Sequence, residues 1–174
     1  GREWGASFPV FGPWSRAVDG GRPYVAPLLR AGHSVHFIPD CALYQYIPAC
    51  DAAFIGSETY YPDGTCFNTV GSELTDLLRR RIPWPFYVPT PLLKLDLRAL
   101  DGYRKKPILD DHRQRIGGSW TADETAGVDF VCPELVAIAP EFITAYITEA
   151  GILPPTAMDT AAPNSAANMG GPNE

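Results

Sequence analysis

Cysteine occurs four times in this chain, at Cys41, Cys50, Cys66 and Cys132, and never as a C-x-x-C pair. That scatter indicates neither a zinc site nor a disulfide framework, and ordinary buried thiols are the expectation. A nucleophilic role for Cys66 lacks a partner base. Histidine is scarcer: His33 and His36 flank a strand-like run and His112 lies in a charged stretch. No metal and no cofactor are expected. Cations are outnumbered, with 14 Lys and Arg against 20 Asp and Glu and a formal net charge of −6. A general nucleic-acid binder normally carries a basic surface, so direct nucleic-acid contact is not expected. Arg79-Arg80-Arg81 and Arg104-Lys105-Lys106 are local clusters, read as solvated helix ends or loops. No apolar run approaches the ~20 residues that span a bilayer. Gly1-Arg-Glu-Trp-Gly5 lacks the charged start and apolar segment of a signal peptide. The expectation is a cytoplasmic chain that meets no membrane.

What is present suits one folded domain. The chain has 174 residues, 45% hydrophobic and 20% charged, enough for a single core and too few for two comfortable ones. Short apolar runs at Phe8–Phe11, Ser34–Ile38, Ala52–Ile55 and Phe86–Val88 read as strands. Pro23 opens a helix that carries Tyr24, Val25, Leu28 and Leu29 and stops at Ala31-Gly32, with Pro27 an awkward interior residue. A short helical piece, Leu43–Ile47, precedes Ala52–Ile55, which is expected to be a buried interior strand of the same sheet as Val35–Ile38 and Phe86–Val88. Leu74, Leu77 and Leu78 share one face of a helix over Ser72–Arg81 that Ser72 can cap. Phe142, Ile143, Tyr146 and Ile147 give the same stripe to a helix over Pro140–Glu149. Asp101 to Thr125 reads as a surface loop. Strands alternating with helices indicate α/β: a Rossmann-like, mostly parallel sheet with helices on both faces. The domain is drawn over residues 1–155, and the Ala, Asn, Gly, Pro and Ser of Thr156–Glu174 read as a disordered tail.

The stretch from Asp51 to Ser72 is the most informative. Ala52–Ile55 runs into a loop that presents one acid, Glu58, then a turn at Pro62-Asp63-Gly64, then Asn68 and a helix start. In an open α/β sheet, ligands bind at the loops that leave the carboxyl ends of strands. A carboxylate there, just before a polar helix entrance, is what a sugar phosphate would meet. The simpler alternative is a junction whose Glu58 merely faces solvent.

Four segments, in order, resemble one superfamily. Ser15-Arg16, Gly21-Arg22, Leu28 and Ala31-Gly32 resemble its "SRP…GR…L..AG" loop and helix. Gly56-Ser57-Glu58, Asp63-Gly64 and Asn68-Thr69-Val70-Gly71-Ser72 are similar to "GAD…NG…NKIGT". Pro85–Pro89 with Lys94-Leu95-Asp96 resembles "PFYV…KFD". Ala139–Gly151 resembles "TPPELI…ITELG". The resemblance, over Ser15 to Pro155, is to the C-terminal Rossmann-like domain of the initiation factor 2B alpha, beta and delta subunits, methylthioribose-1-phosphate isomerase and ribose-1,5-bisphosphate isomerase.

The resemblance implies a phosphate held by Arg16 and Arg22 in the loop that contains Gly21. It implies an acid or base at Glu58, where the isomerases carry an aspartate, an orienting amide at Asn68, and Lys94 as a further binding residue. It also implies departures. Thr69 stands where the family has a lysine, so one phosphate-pairing cation is gone. Gly20 stands for a glutamine, Ala17 for a proline, and Leu135–Ala139 for "FDVTP". The chain has no counterpart of the cysteine segment that partners the isomerases' aspartate, nor of the helical domain and first strand. The function these features imply first is a non-catalytic sugar-phosphate-binding or assembly module, as in translation initiation, that dimerises or joins a larger assembly with another protein chain. The alternative is an aldose–ketose isomerase acting on a ribose phosphate such as methylthioribose 1-phosphate or ribose 1,5-bisphosphate. A plain structural alternative pairs Arg16 and Arg22 with acids such as Asp19.

Overall fold

A computed structural model describes residues 6–15, 19–74 and 84–161. In chain order the elements are β1 (Pro9–Pro13), α1 (Arg22–Arg30), β2 (Ser34–Ile38), α2 (Leu43–Tyr46), β3 (Ala53–Phe54), β4 (Thr59–Tyr60), β5 (Cys66–Thr69) and β6 (Phe86–Pro89). Then come β7 (Leu109–Asp111), α3 (Arg113–Ile116), α4 (Ala122–Thr125), β8 (Val131–Pro133), β9 (Leu135–Ile138), β10 (Ala145–Thr148) and β11 (Gly151–Leu153). The mixed α/β reading holds, with parallel pairs and helices. The chain divides into two compact units, residues 1–49 with 108–134, and residues 50–107 with 135–174.

The first unit is built on a parallel pair, β1 with β2, in the register Phe11 opposite His36. α1 connects them. Pro23 at its first turn needs no N–H partner, and the Ala31 and Gly32 amides close it on the Pro27 and Leu29 carbonyls. Pro27 is tolerated inside this short helix. Gly32, at φ +88°, makes the left-handed exit that other residues resist. Aromatic stacking does much of the local packing: Phe11 lies 4.8 Å from the His36 ring and 5.0 Å from Tyr46. β7 and β8 form a separate antiparallel pair. His112 is buried beside it, its amide donating to the Phe130 carbonyl. The stretch expected as a loop thus holds β7, α3 and α4, the last started by a Thr121–Glu124 capping box.

The second unit carries the denser core. Its main sheet runs β11-β10-β6-β3, with β10, β6 and β3 parallel and β11 antiparallel. A second sheet, β4-β5-β9, is antiparallel. Phe86, Val88 and Tyr146 are almost fully buried on one face of the main sheet. The Tyr146 hydroxyl donates to the Gly64 carbonyl at 2.7 Å and its ring lies 5.4 Å from Tyr60. Gly64, at φ +84°, is the pivot of the Pro62-Asp63-Gly64 turn, and a Cβ there would lie 2.7 Å from Pro155.

Four expectations are corrected here. Residues over Pro140–Glu149 do not form a helix: Pro140–Phe142 is a 3-10 turn and Ala145–Thr148 is strand β10, hydrogen-bonded to β6. The stripe matches a helical period, but β-branched Ile143, Thr144, Ile147 and Thr148 favour the pleated form and pairing with β6 decides. β3 is the end strand of its sheet among the described residues, not an interior one, and Phe54 is 61% exposed. β2 pairs with β1 and not with the β6 sheet. Finally, Thr156 and Ala157 complete a 3-10 turn, helical backbone follows to Ala161, and Met158 is fully buried, so order continues past Pro155. The helix expected from Ser72 begins there and is helical to Leu74, while 75–81 lie outside the described residues.

Candidate functional site

Parallel β3, β6 and β10 end at the same side of their sheet, and the candidate site is built from the loops that leave them. After β3, the Ile55 amide bonds the Tyr87 carbonyl and the chain turns outward through Gly56. Ser57 is buried, its hydroxyl donating to the Thr59 carbonyl at 2.9 Å. The Glu58 amide donates to the Phe67 carbonyl at 2.8 Å, which fixes its backbone against β5. Its side chain is exposed and makes no hydrogen bond or ion pair with any described residue. A carboxylate whose backbone is held while its oxygens bond no described residue is suited to a ligand's hydroxyl or proton.

The loop after β6 brings a cation to the same place. Lys94 donates its Nζ to the Ser57 carbonyl at 2.6 Å, and its own carbonyl accepts from the Thr59 hydroxyl at 2.9 Å. Leu95 bridges to Tyr60 in parallel, and the Asp96 amide donates to the Tyr60 carbonyl at 2.8 Å. The segments that hold Glu58 and Lys94 therefore run side by side. Asn68 lies one residue beyond Phe67, and its amide donates to the Ser72 hydroxyl at 3.0 Å across the helix entrance. That entrance is already satisfied by the chain itself, since the Gly71 amide donates to the Glu73 carboxylate at 2.8 Å.

Beneath these loops lies Cys66, fully buried. Burial pushes its thiol up to about 11, against opposing contributions from hydrogen bonds with Ser57 and Tyr146 and from the charge of Lys94. Such a thiol is protonated and inert near neutrality. Tyr60, whose hydroxyl donates to the Leu92 carbonyl at 3.0 Å, is pushed up to about 12 by burial and by the charge of Glu149. No cluster of His, Cys, Asp or Glu among the described residues could hold a metal ion. No described helix is long and apolar enough to cross a membrane.

Of the residues singled out from the sequence, Glu58, Asn68 and Lys94 are thus neighbours in the second unit. Gly21 and Arg22 belong to the first unit, and Arg16 lies outside the described residues. Gly21 has a structural reason of its own: a Cβ there would clash with the Pro13 carbonyl oxygen. Arg22 pairs with Asp19 at 3.7 Å on an open surface, its side chain 80% exposed. That is the plain pairing anticipated as the alternative to a phosphate site. Sequence reasoning missed Ser57 as the group that joins Lys94 to Glu58, and it placed Glu149 at a helix end when it follows a strand.

The sequence profile of the Initiation factor 2 subunit family matches residues 7–155. Methylthioribose-1-phosphate isomerase of Symbiobacterium thermophilum is 30% identical over 161 residues, 89% of this chain and 44% of that protein. 5-Deoxyribose 1-phosphate isomerase of Petrotoga mobilis is 28% identical and covers 88% and 45%. Among solved structures, 5-methylthioribose 1-phosphate isomerase of Pyrococcus horikoshii superposes with a TM-score of 0.72 at 19% identity, over 91% of this chain and 45% of that one. Translation initiation factor eIF-2B of the same organism gives 0.71 at 20%, over 88% and 52%. Both share the fold, and this chain spans about half the length of the relatives it matches. By the extent of that profile match, the chain belongs to the Initiation factor 2 subunit family.

Proposed function

We propose that this chain carries the sugar-phosphate side of an aldose–ketose isomerase site, acting on a ribose 1-phosphate whose 5-position lacks a free hydroxyl. The observation that carries this reading is the Glu58 side chain, exposed and without a bonded partner among the described residues, in the loop after β3 and next in sequence to Ser57, whose carbonyl holds the Lys94 ammonium. The reaction conserves every atom: a hydrogen passes from C2 to C1, the bond from C1 to the ring oxygen opens, and the C2 hydroxyl becomes a carbonyl. Glu58 would exchange the proton that the ring oxygen gains and the hydroxyl loses, while Lys94 would pair with the phosphate. The non-catalytic module, first in order from the sequence, is the less supported reading, because the matched relatives carry isomerase names. One observation still favours association: α1 buries no residue, and its Tyr24 and Leu29 stand open to solvent. A second polypeptide would cover them.

The test is conversion of methylthioribose 1-phosphate and 5-deoxyribose 1-phosphate to their ketoses, read with thermal stabilisation by the same compounds. Glu58→Gln is expected to lower turnover by roughly 10²–10⁴ while keeping the ligand-induced shift in Tm. Stabilisation without turnover in the unsubstituted chain would return the module reading to first place. Absence of any phosphate-dependent shift would overturn the sugar-phosphate reading of these residues.

A further inference from the structure

Five residues after β6 decide where Lys94 sits, and one of them is held on both sides. The Thr90 amide makes the last ladder bond, to the Ile147 carbonyl at 3.0 Å, and Pro91 then turns the chain into a 3-10 turn, Leu92–Lys94. The Leu92 side chain is buried. Its amide donates to both carboxylate oxygens of Glu149, each at 3.0 Å, and its carbonyl accepts from the Tyr60 hydroxyl at 3.0 Å. Glu149 reaches across from the end of β10, where it also walls a shallow hollow of about 470 Å³ with Pro89, Thr90, Pro91, Ile147 and Thr148. A charged acceptor on an amide makes a stronger bond than a neutral one. Two residues on, the Lys94 carbonyl and ammonium close onto Thr59 and Ser57. The chain of contacts runs from Glu149 through Leu92 to the cation on the Ser57 carbonyl.

We propose that Glu149 is a positioning residue for Lys94: its carboxylate holds the Leu92 amide, and the turn so fixed sets the ammonium on the Ser57 carbonyl. The ligand part of this assignment rests on the reading of that ammonium as a phosphate-binding group. In this assignment Glu149 acts through the Leu92 turn. Removing it leaves the Leu92 amide without its acceptor, frees the turn and lets Lys94 swing into solvent.

Three measurements on the whole chain test the assignment, with Glu149→Ala, Glu149→Gln, Lys94→Ala and the Glu149→Ala/Lys94→Ala pair. The first is affinity for inorganic phosphate. Glu149→Ala is expected to weaken it about tenfold, Glu149→Gln to restore most of it, and Glu149→Ala to cost nothing further once Lys94 is gone. The second is amide hydrogen exchange, expected to rise at Leu92 and Lys94 in Glu149→Ala and to stay unchanged at Val88. The third is the rate at which an amine-acylating reagent modifies Lys94, expected to rise severalfold in Glu149→Ala toward that of Lys106. Losses that multiply in the double variant would overturn the assignment. So would an acylation rate at Lys94 that ignores Glu149→Ala. A chain that binds no phosphate while Leu92 exchange and Lys94 acylation both rise would retire the phosphate site and leave the positioning role standing.

Discussion

In the first unit, among the described residues, the buried apolar ones are Ile38, Ile47 and Phe130, and β1 and β2 meet no third strand. The second unit holds the rest of the buried apolar set, from Tyr60 through Met158, in two sheets whose loops share main-chain hydrogen bonds. An isolated strand pair is marginal in water, whereas several strands with a buried face can stand alone. The difference teaches where the chain is rigid. Glu58, Asn68 and Lys94 sit on the unit that can hold them to a fixed geometry, while Gly21 and Arg22 sit on the one that stacks rings over a narrow sheet. A site needs its acid and cation on firm support.

Core truncation gives the largest contrast. Phe86→Ala, at a position 1% exposed, is expected to cost about 3–5 kcal/mol in urea unfolding. Phe37→Ala, half-exposed on β2, is expected to cost at most about 1 kcal/mol. Equal losses would break the comparison between the units.

Alkaline titration comes next. The folded Cys66 thiol, pushed to about 11 from an ordinary 9.0, binds its proton more tightly than the unfolded one. Its contribution is therefore complete below pH 9 and is lost as the pH rises to about 11, by about 2–3 kcal/mol. Tyr60, pushed to about 12, carries the decline further above pH 10. Cys66→Ala should remove the early part of the decline. A profile unchanged by Cys66→Ala would place the titrating group elsewhere.

The smallest effect belongs to Arg22→Ala. Its pair with Asp19 is open to water, so the substitution is expected to change stability by less than about 0.5 kcal/mol. A larger loss in thermal unfolding would show that the first unit depends on that pair.

How far the fold could be read from the residues follows from where local signals were strong. α1 was legible because Pro23 and Gly32 punctuate it, and β2 because Pro39 stops a β-branched run. β10 was not, since Phe142, Ile143, Tyr146 and Ile147 fit a helical stripe until the pairing with β6 is known. The end position of β3 was likewise invisible, because strand order is a property of pairing and no local pattern encodes it. The site was half legible. Glu58 stood out as an acid after a short apolar run, and the loop placed it as expected at the carboxyl end of β3. Ser57 and Glu149 did not stand out, for their roles are made by bonds to residues 37 and 57 positions away.

Gly64 sets a limit on how this chain can vary. Its left-handed backbone rejects a side chain, the space above it is filled by Pro155, and its carbonyl receives the Tyr146 hydroxyl. The contact with Pro155 bars any Cβ, and the left-handed backbone strains most side chains as well, so relieving one leaves the other in force. Drift in the site loop must then go around this point: Asp63 and Thr65 can change, and Pro155 can change only with a partner that leaves the same gap. A library randomised at position 64 collapses to a single letter, and the turn that shapes the site and the segment that seals the core are inherited together.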